Sequence, residues 1–253
     1  MFVDSHCHLF SEYYDDINEI VENSSSKGIS YLINNGCNSK SNKEIIDLIS
    51  KYKNMYGAIG IHPEDVDNYS LDDINFIVNN LNNKKIIAIG EIGLDYYYTK
   101  ENKDKQIELF ERQLEIAEHK NIPVIVHSRD ATQDTINILK KYKVKGVIHS
   151  FSGSKETAKE YIKMGFLLGI NGVITFKNCN IKDVYKEIGL NNVIFETDSP
   201  YLTPVPFRGK KNDPSKIIDI VDFISNEFSI PIQELSKISN KNVQDVFGIN
   251  VEK

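Results

Sequence analysis

The sequence predicts an α/β fold, a closed (β/α)8 TIM barrel with an extra C-terminal helix, in a single domain over residues 1–253. Three observations predict it. Eight short apolar runs recur along the chain, rich in Ile and Val and without strict alternation, as parallel strands covered on both faces require. Helical patterns separate the runs, which argues for a parallel sheet. Ionisable residues cluster at the C-terminal ends of the runs, the end at which a barrel of this kind builds its active site.

The runs are Phe2–His8, Tyr31–Gly36, Met55–His62, Ile86–Asp95, Pro123–Arg129, Lys145–Phe151, Phe166–Thr175 and Asn192–Asp198. Between them, Ile17, Ile20 and Val21 recur at helical spacing, as do Ile45, Ile46, Leu48 and Ile49. In Lys103–His119 the residues Ile107, Phe110, Leu114 and Ala117 form one apolar stripe. Ser154, with Thr157 three residues on, reads as the N-cap of a helix running through Ala158–Met164. After the eighth run, Pro214–Phe228 would close the barrel and Pro231–Phe247 would extend it. Eight such units in 253 residues favour a barrel over an open sheet.

Composition narrows the function. No apolar run is long enough to cross a bilayer, and the first residues lack the basic and apolar segments of a signal peptide. The 3 cysteines, Cys7, Cys37 and Cys179, suggest no disulfide framework. A reducing, cytoplasmic setting is expected. The net charge of −6 excludes nucleic-acid binding by bulk charge, so any such binding must be local. No assembly element is evident, and a monomer is expected.

His6 and His8 end the first run, His62 the third, His127 the fifth and His149 the sixth. Glu91 and Asp95 end the fourth, and Asp198 the eighth. His119 lies near a helix end instead. Residues two apart in a strand face the same way, so the imidazoles of His6 and His8 would share the barrel axis while Cys7 faces the helices. Two neutral imidazoles side by side chelate a divalent ion. Taken singly, each residue has an ordinary structural explanation: a buried histidine, a helix cap, a turn at Asp198-Ser199-Pro200. Their coincidence on one rim favours a metal-dependent active site.

At this point the chain resembles the TatD family of metal-dependent deoxyribonucleases, within the amidohydrolase-like barrels. The resemblance runs nearly end to end through Asp4-Ser5-His6-Cys7-His8-Leu9, Gly60-Ile61-His62-Pro63, Gly90-Glu91-Ile92-Gly93-Leu94-Asp95 and Val126-His127-Ser128-Arg129. It continues through His149-Ser150-Phe151-Ser152-Gly153, Glu196-Thr197-Asp198-Ser199-Pro200 and Arg208-Gly209-Lys210-Lys211-Asn212. Asn212-Asp213-Pro214 stands where the family usually has Asn-Glu-Pro. The resemblance implies two divalent metal ions. His6, His8 and Asp198 would hold the first, Glu91 would bridge, and His127 and His149 would complete the second. Mixed imidazole and carboxylate donors suit Zn²⁺ or Mn²⁺ and admit Mg²⁺ when water fills the remaining positions. The resemblance further implies a DNA substrate and a 3′-to-5′ exonuclease.

Asp198 and Glu91 are the expected catalytic residues, with Asp198 taking the proton of the attacking water. Arg129, Arg208 and His62 are candidate phosphate contacts, and Glu196 a substrate-contacting or supporting group. Lys211 reads as solvated surface. Tyr96, Tyr97 and Tyr98 form a rim loop in which one ring is placed to stack on a base. Two other readings stay open. The same frame serves an amide, a lactone or an aminoacyl-tRNA ester, since fold does not set the substrate. A non-catalytic scaffold would be expected to have lost at least one of these residues.

Overall fold

The computed structural model describes residues 1–251. Its strands are β1 (Phe2–Cys7), β2 (Ile29–Asn35), β3 (Met55–Ile59), β4 (Ile86–Asp95), β5 (Val124–Arg129), β6 (Gly146–Ile148), β7 (Phe166–Ile170) and β8 (Val193–Phe195). Each is parallel to the next, in the order β1 to β8. Helices α1 (Ile17–Ser26), α2 (Ser39–Lys51), α3 (Leu71–Asn80), α4 (Lys103–Lys120), α5 (Thr132–Leu139), α6 (Lys155–Lys163), α7 (Ile181–Ile188) and α8 (Ile217–Phe228) follow the strands in turn, and α9 (Ile232–Phe247) follows α8. This is a TIM barrel with a C-terminal helix added. Ser154 caps α6 by accepting from the Thr157 amide. No helix among the described residues is long and apolar enough to cross a membrane.

The barrel closes beyond the end of β8. Cys7 bridges Ser199 in parallel. The Asp198 amide donates to His6 O at 2.9 Å, and the His8 amide donates to Ser199 O at 2.7 Å. Inside, one side chain from every strand meets the others: Val3, Ile33, Ala58, Ala88, Ile125, Val147, Leu167 and Ile194. Val243, Val246 and Phe247 of α9, with Ile249 and Val251, join this same cluster. The helix expected as an extension is therefore the floor of the barrel, packed against β1 and β8. Truncating a buried aromatic loses its transfer free energy and leaves a cavity. Phe247→Ala should cost about 3 kcal/mol in urea unfolding while metal affinity at the far mouth is unchanged; a loss of affinity without a loss of stability would contradict this placement.

Several strands stop short of the runs that announced them. After Ile59, the Gly60 amide donates to Asn42 Oδ1 and the Ile61 amide to Gln113 Oε1, so helix side chains replace the strand ladder. After Ile170, Asn171 caps the turn Gly172–Thr175 by accepting from the Val173 amide. After Phe195, the Thr197 amide donates to Asp4 Oδ1. Backbone polar groups are satisfied in each case, but by side chains that free the chain to turn. Asp198 follows in the left-handed region at φ 55°, which aspartate tolerates better than most residues.

Candidate metal centre

The structure brings His6, His8, Glu91, His127, His149 and Asp198 to one place at the C-terminal mouth. Glu91 lies at the middle, buried, with each carboxylate oxygen facing a different set of imidazoles. Its Oε2 is 3.3 Å from His6 Nε2 and 3.6 Å from His8 Nε2. Its Oε1 is 2.9 Å from His127 Nδ1, 3.6 Å from His62 Nε2 and 3.7 Å from His149 Nε2. Asp198 Oδ1 closes the first set, 3.7 Å from His6 Nε2 and 3.5 Å from His8 Nε2, and it also lies 3.8 Å from His149 Nε2. The two imidazoles are 3.1 Å apart at Nε2.

These spacings fit a metal. Bonds of about 2.0–2.2 Å in a tetrahedral site separate the donor atoms by about 3.4 Å. The first set runs from 3.1 to 3.7 Å. Proton positions give an independent test, because an imidazole nitrogen can ligate only with a free lone pair. His8 Nδ1 donates to Asn35 O at 2.8 Å, which frees Nε2. His149 Nδ1 lies 3.0 Å from Glu196 Oε1 without making a hydrogen bond, and its Nε2 faces Glu91 and Asp198. His127 is turned the other way: its Nε2 meets Asp95 Oδ2 at 2.9 Å, leaving Nδ1 toward Glu91. For His8 and His127 an acceptor engages the outer nitrogen and the inner one points at the cluster, while the buried Nδ1 atoms of His6 and His149 have no hydrogen-bond partner among the described residues.

His62 differs. Its Nδ1 accepts from the Glu64 amide at 3.2 Å, so the proton of the neutral ring sits on Nε2. Burial and then neighbouring His127 push its pKa down to about 3, which keeps it neutral. His62 lies within reach of Glu91 and His127, but as a donor rather than as a lone pair. Burial opposes charge on His127 too, but its hydrogen bonds to the carboxylates of Asp95 and Glu91 outweigh it and raise its pKa to about 9. Burial alone would raise Glu91; the imidazoles of His6, His149 and His62 instead hold it well below the usual carboxylate range. The anion is thus stable where it sits.

Two glycines make the geometry possible. A side chain on Gly93, at φ 146°, would fall 1.9 Å from His127 O, so its absence lets β4 lie against β5. One on Gly169 would fall 2.4 Å from Glu196 Oε2, so β7 leaves room for that carboxylate.

The remaining sequence candidates separate. Glu196 is fully buried beneath His149, and its Oε1 also accepts from the Ser150 amide at 2.6 Å. Of the two roles expected of Glu196, substrate contact or support, its complete burial beside His149 fits support. Arg129 is exposed in the cavity wall, its guanidinium 3.6 Å above the Tyr97 ring. Arg208 stacks on Phe176 at 4.1 Å. Tyr96 is buried and bonds Asp134, while Tyr97 and Tyr98 are exposed. Asp213, the departure from the family pattern, caps the turn before α8 by accepting from the Ser215 amide. Sequence reasoning assigned no task to Asp95, nor to Gln106 of α4, which binds the Asp95 backbone at both N and O. Gln106 and Gln113 lie seven apart on the buried face of α4, and polar residues at that spacing were the available signal. Outer partners of ligating histidines typically contribute 10–100-fold to metal affinity. Asp95→Asn should weaken metal binding within that range, measured by chelator competition, and unchanged affinity would remove Asp95 from this role.

The family described as TatD related DNase matches residues 3–248 of this chain. The chain belongs to the TatD family. TatD relatives extend across bacteria. The protein named uncharacterized metal-dependent hydrolase YabD, from Bacillus subtilis, is 38% identical, with 99% of this chain and 100% of that protein covered. YcfH of Escherichia coli, which carries the same description, is 32% identical over 99% of this chain and 97% of its own. The crystal structure of YJJV, described as a TatD homolog from Escherichia coli, superposes with a TM-score of 0.91 at 26% identity, covering 98% of each chain.

Proposed function

We propose that this protein is a divalent-metal-dependent deoxyribonuclease that hydrolyses phosphodiester bonds with two ions bound around Glu91, removing nucleotides from the 3′ end. The coarser reading, a metal-dependent hydrolase, rests on family membership and on the names of YabD and YcfH. The observation that carries the finer one is the division of Glu91. One oxygen faces His6 and His8, with Asp198 completing that set; the other faces His127 and His149. A carboxylate so placed could serve as a ligand to both cations. The family's description as a DNase and the Arg129–Tyr97–Tyr98 cluster at the rim support DNA over an amide or lactone.

Bound divalent ions supply positive charge to the phosphate oxygens and make a water molecule more acidic. The protein supplies the rest. His6, His8 and Asp198 would hold one ion, His127 and His149 the other, and Glu91 both. Asp198 is the most open of the first set, its side chain 13% exposed against 0% for His6, so it is the group positioned to meet the attacking water and take its proton. The water oxygen forms a bond to phosphorus as the bond to the leaving oxygen breaks. His62 Nε2–H donates to a phosphate oxygen, and Arg129 offers a planar fork to a neighbouring phosphate. Tyr97 and Tyr98 give bases a surface to stack on without reading their identity.

The test is to strip the protein with a chelator and restore Mg²⁺, Mn²⁺ or Zn²⁺ separately, with end-labelled single-stranded and duplex DNA as substrates. Cleavage that returns with metal and shortens strands from the 3′ end is the expected result. Bound metal without DNA cleavage would leave the metal frame standing and overturn the nuclease reading, and an ester, lactone and amide panel would then follow.

A further inference from the structure

The mouth of the barrel holds more than the metal centre requires. A cavity of about 1060 Å³ runs from Glu91, His127, His149 and Asp198 into a side lobe between the ends of β6 and β7 and the start of α7. The walls change character along it. At the centre they are imidazole and carboxylate; in the lobe they are Phe151, Ile174, Ile181, Val184 and Tyr185. Activating water needs no apolar chamber. An apolar wall continuous with a reaction centre is how a site receives an unreactive part of its substrate.

The lobe also has a buried polar group without a partner. Tyr185 is only 1% exposed, yet its hydroxyl bonds to nothing among the described residues. Ser152 and Asn180 line the same cavity, and Asn180 makes no capping bond to α7 although it stands at the helix start. Apolar faces with polar groups at the edges suit a flat heteroaromatic ring. An aliphatic chain would leave the Tyr185 hydroxyl unpaired, and a sugar would waste the apolar walls. Phe151 lies two residues past His149, so a ring in the lobe sits immediately beside the phosphate that the metal centre would hold.

We propose that this lobe is the seat of one nucleobase of the substrate, the base of the terminal nucleotide being removed, held between apolar walls with its edge toward Tyr185. The proposal rests on the nuclease reading above. It assigns to Phe151, Ile174, Val184 and Tyr185 the binding of the terminal residue, a task separate from the metal centre and from the tyrosines at the outer rim.

The experiment compares two single strands that differ only in the 3′-terminal residue, one carrying a base and the other an abasic tetrahydrofuran, cleaved by the metal-loaded enzyme. Stacking of a base is worth about 1–3 kcal/mol, so the abasic strand should show a KM roughly five-fold higher or more. Val184→Trp, which fills the lobe, should erase that difference while metal affinity by chelator competition stays at the wild-type value. Tyr185→Phe should reduce the difference with the fold intact. Equal KM for the two strands with the wild-type enzyme would overturn the seat and leave the nuclease reading in place. Failure to cut either strand would overturn the nuclease reading and the seat together.

Discussion

Replacing Glu91 with alanine should lower metal-dependent hydrolysis by at least about 10³-fold, more than removal of a single transition-state donor costs. The reason lies in what the carboxylate touches. Its two oxygens face five imidazoles at 2.9 to 3.7 Å, whereas a single oxygen of Asp198 faces His6, His8 and, at 3.8 Å, His149. Without it, the two sets of histidines lose their shared anion, so both ions should be lost rather than one. The readout is therefore paired: activity on DNA, and metal content after dialysis against a buffered metal. Glu91→Gln keeps the shape and removes the charge, so it separates electrostatics from packing. Near-normal metal content in Glu91→Ala would show that the histidines suffice, and the bridging role would fall.

Asp198→Asn should lower kcat by about 10²–10⁴-fold, the usual contribution of a positioned general base. The fold should survive. Asparagine accepts the left-handed backbone that Asp198 adopts, and the amide that donates to His6 O is unaffected. The remaining oxygen of the amide side chain can still face His6 and His8. The expected protein is stable, retains metal and is slow, with KM little changed. Loss of stability and activity together would instead make Asp198 a structural residue of the barrel seam, and an unchanged kcat would remove it from the proton transfer.

The alternation of strand and helix was legible because it follows from local pattern. The points at which strands stop were not, because they depend on partners far away in sequence: Asn42 and Gln113 past β3, and Asp4 past β8. The His6 and His8 pair was readable from the two-residue period. That period does not carry back to Val3, which also faces the interior although it is three residues before His6; the ladder shifts between Asp4 and Cys7. The shift accompanies the bonds from Asp4 to Thr197, which no local pattern announces. Glu196 and Asp198 are two apart and seemed to share a face, yet one is sealed beneath His149 and the other opens to the cavity, since the strand ends at Phe195. His62 shows the finest limit. Only the amide of Glu64, donating to Nδ1, distinguishes a hydrogen-bond donor from a metal ligand.

The central claim is that Glu91 joins two ions, and metal stoichiometry tests it most directly. Chelator-treated protein would be titrated with Mn²⁺ or Zn²⁺ by calorimetry and the bound metal counted by elemental analysis. Wild-type protein should take up two equivalents per chain, and His8→Ala and His149→Ala should each weaken a different one. A single equivalent in the wild-type protein, or two that survive loss of Glu91, would contradict the account.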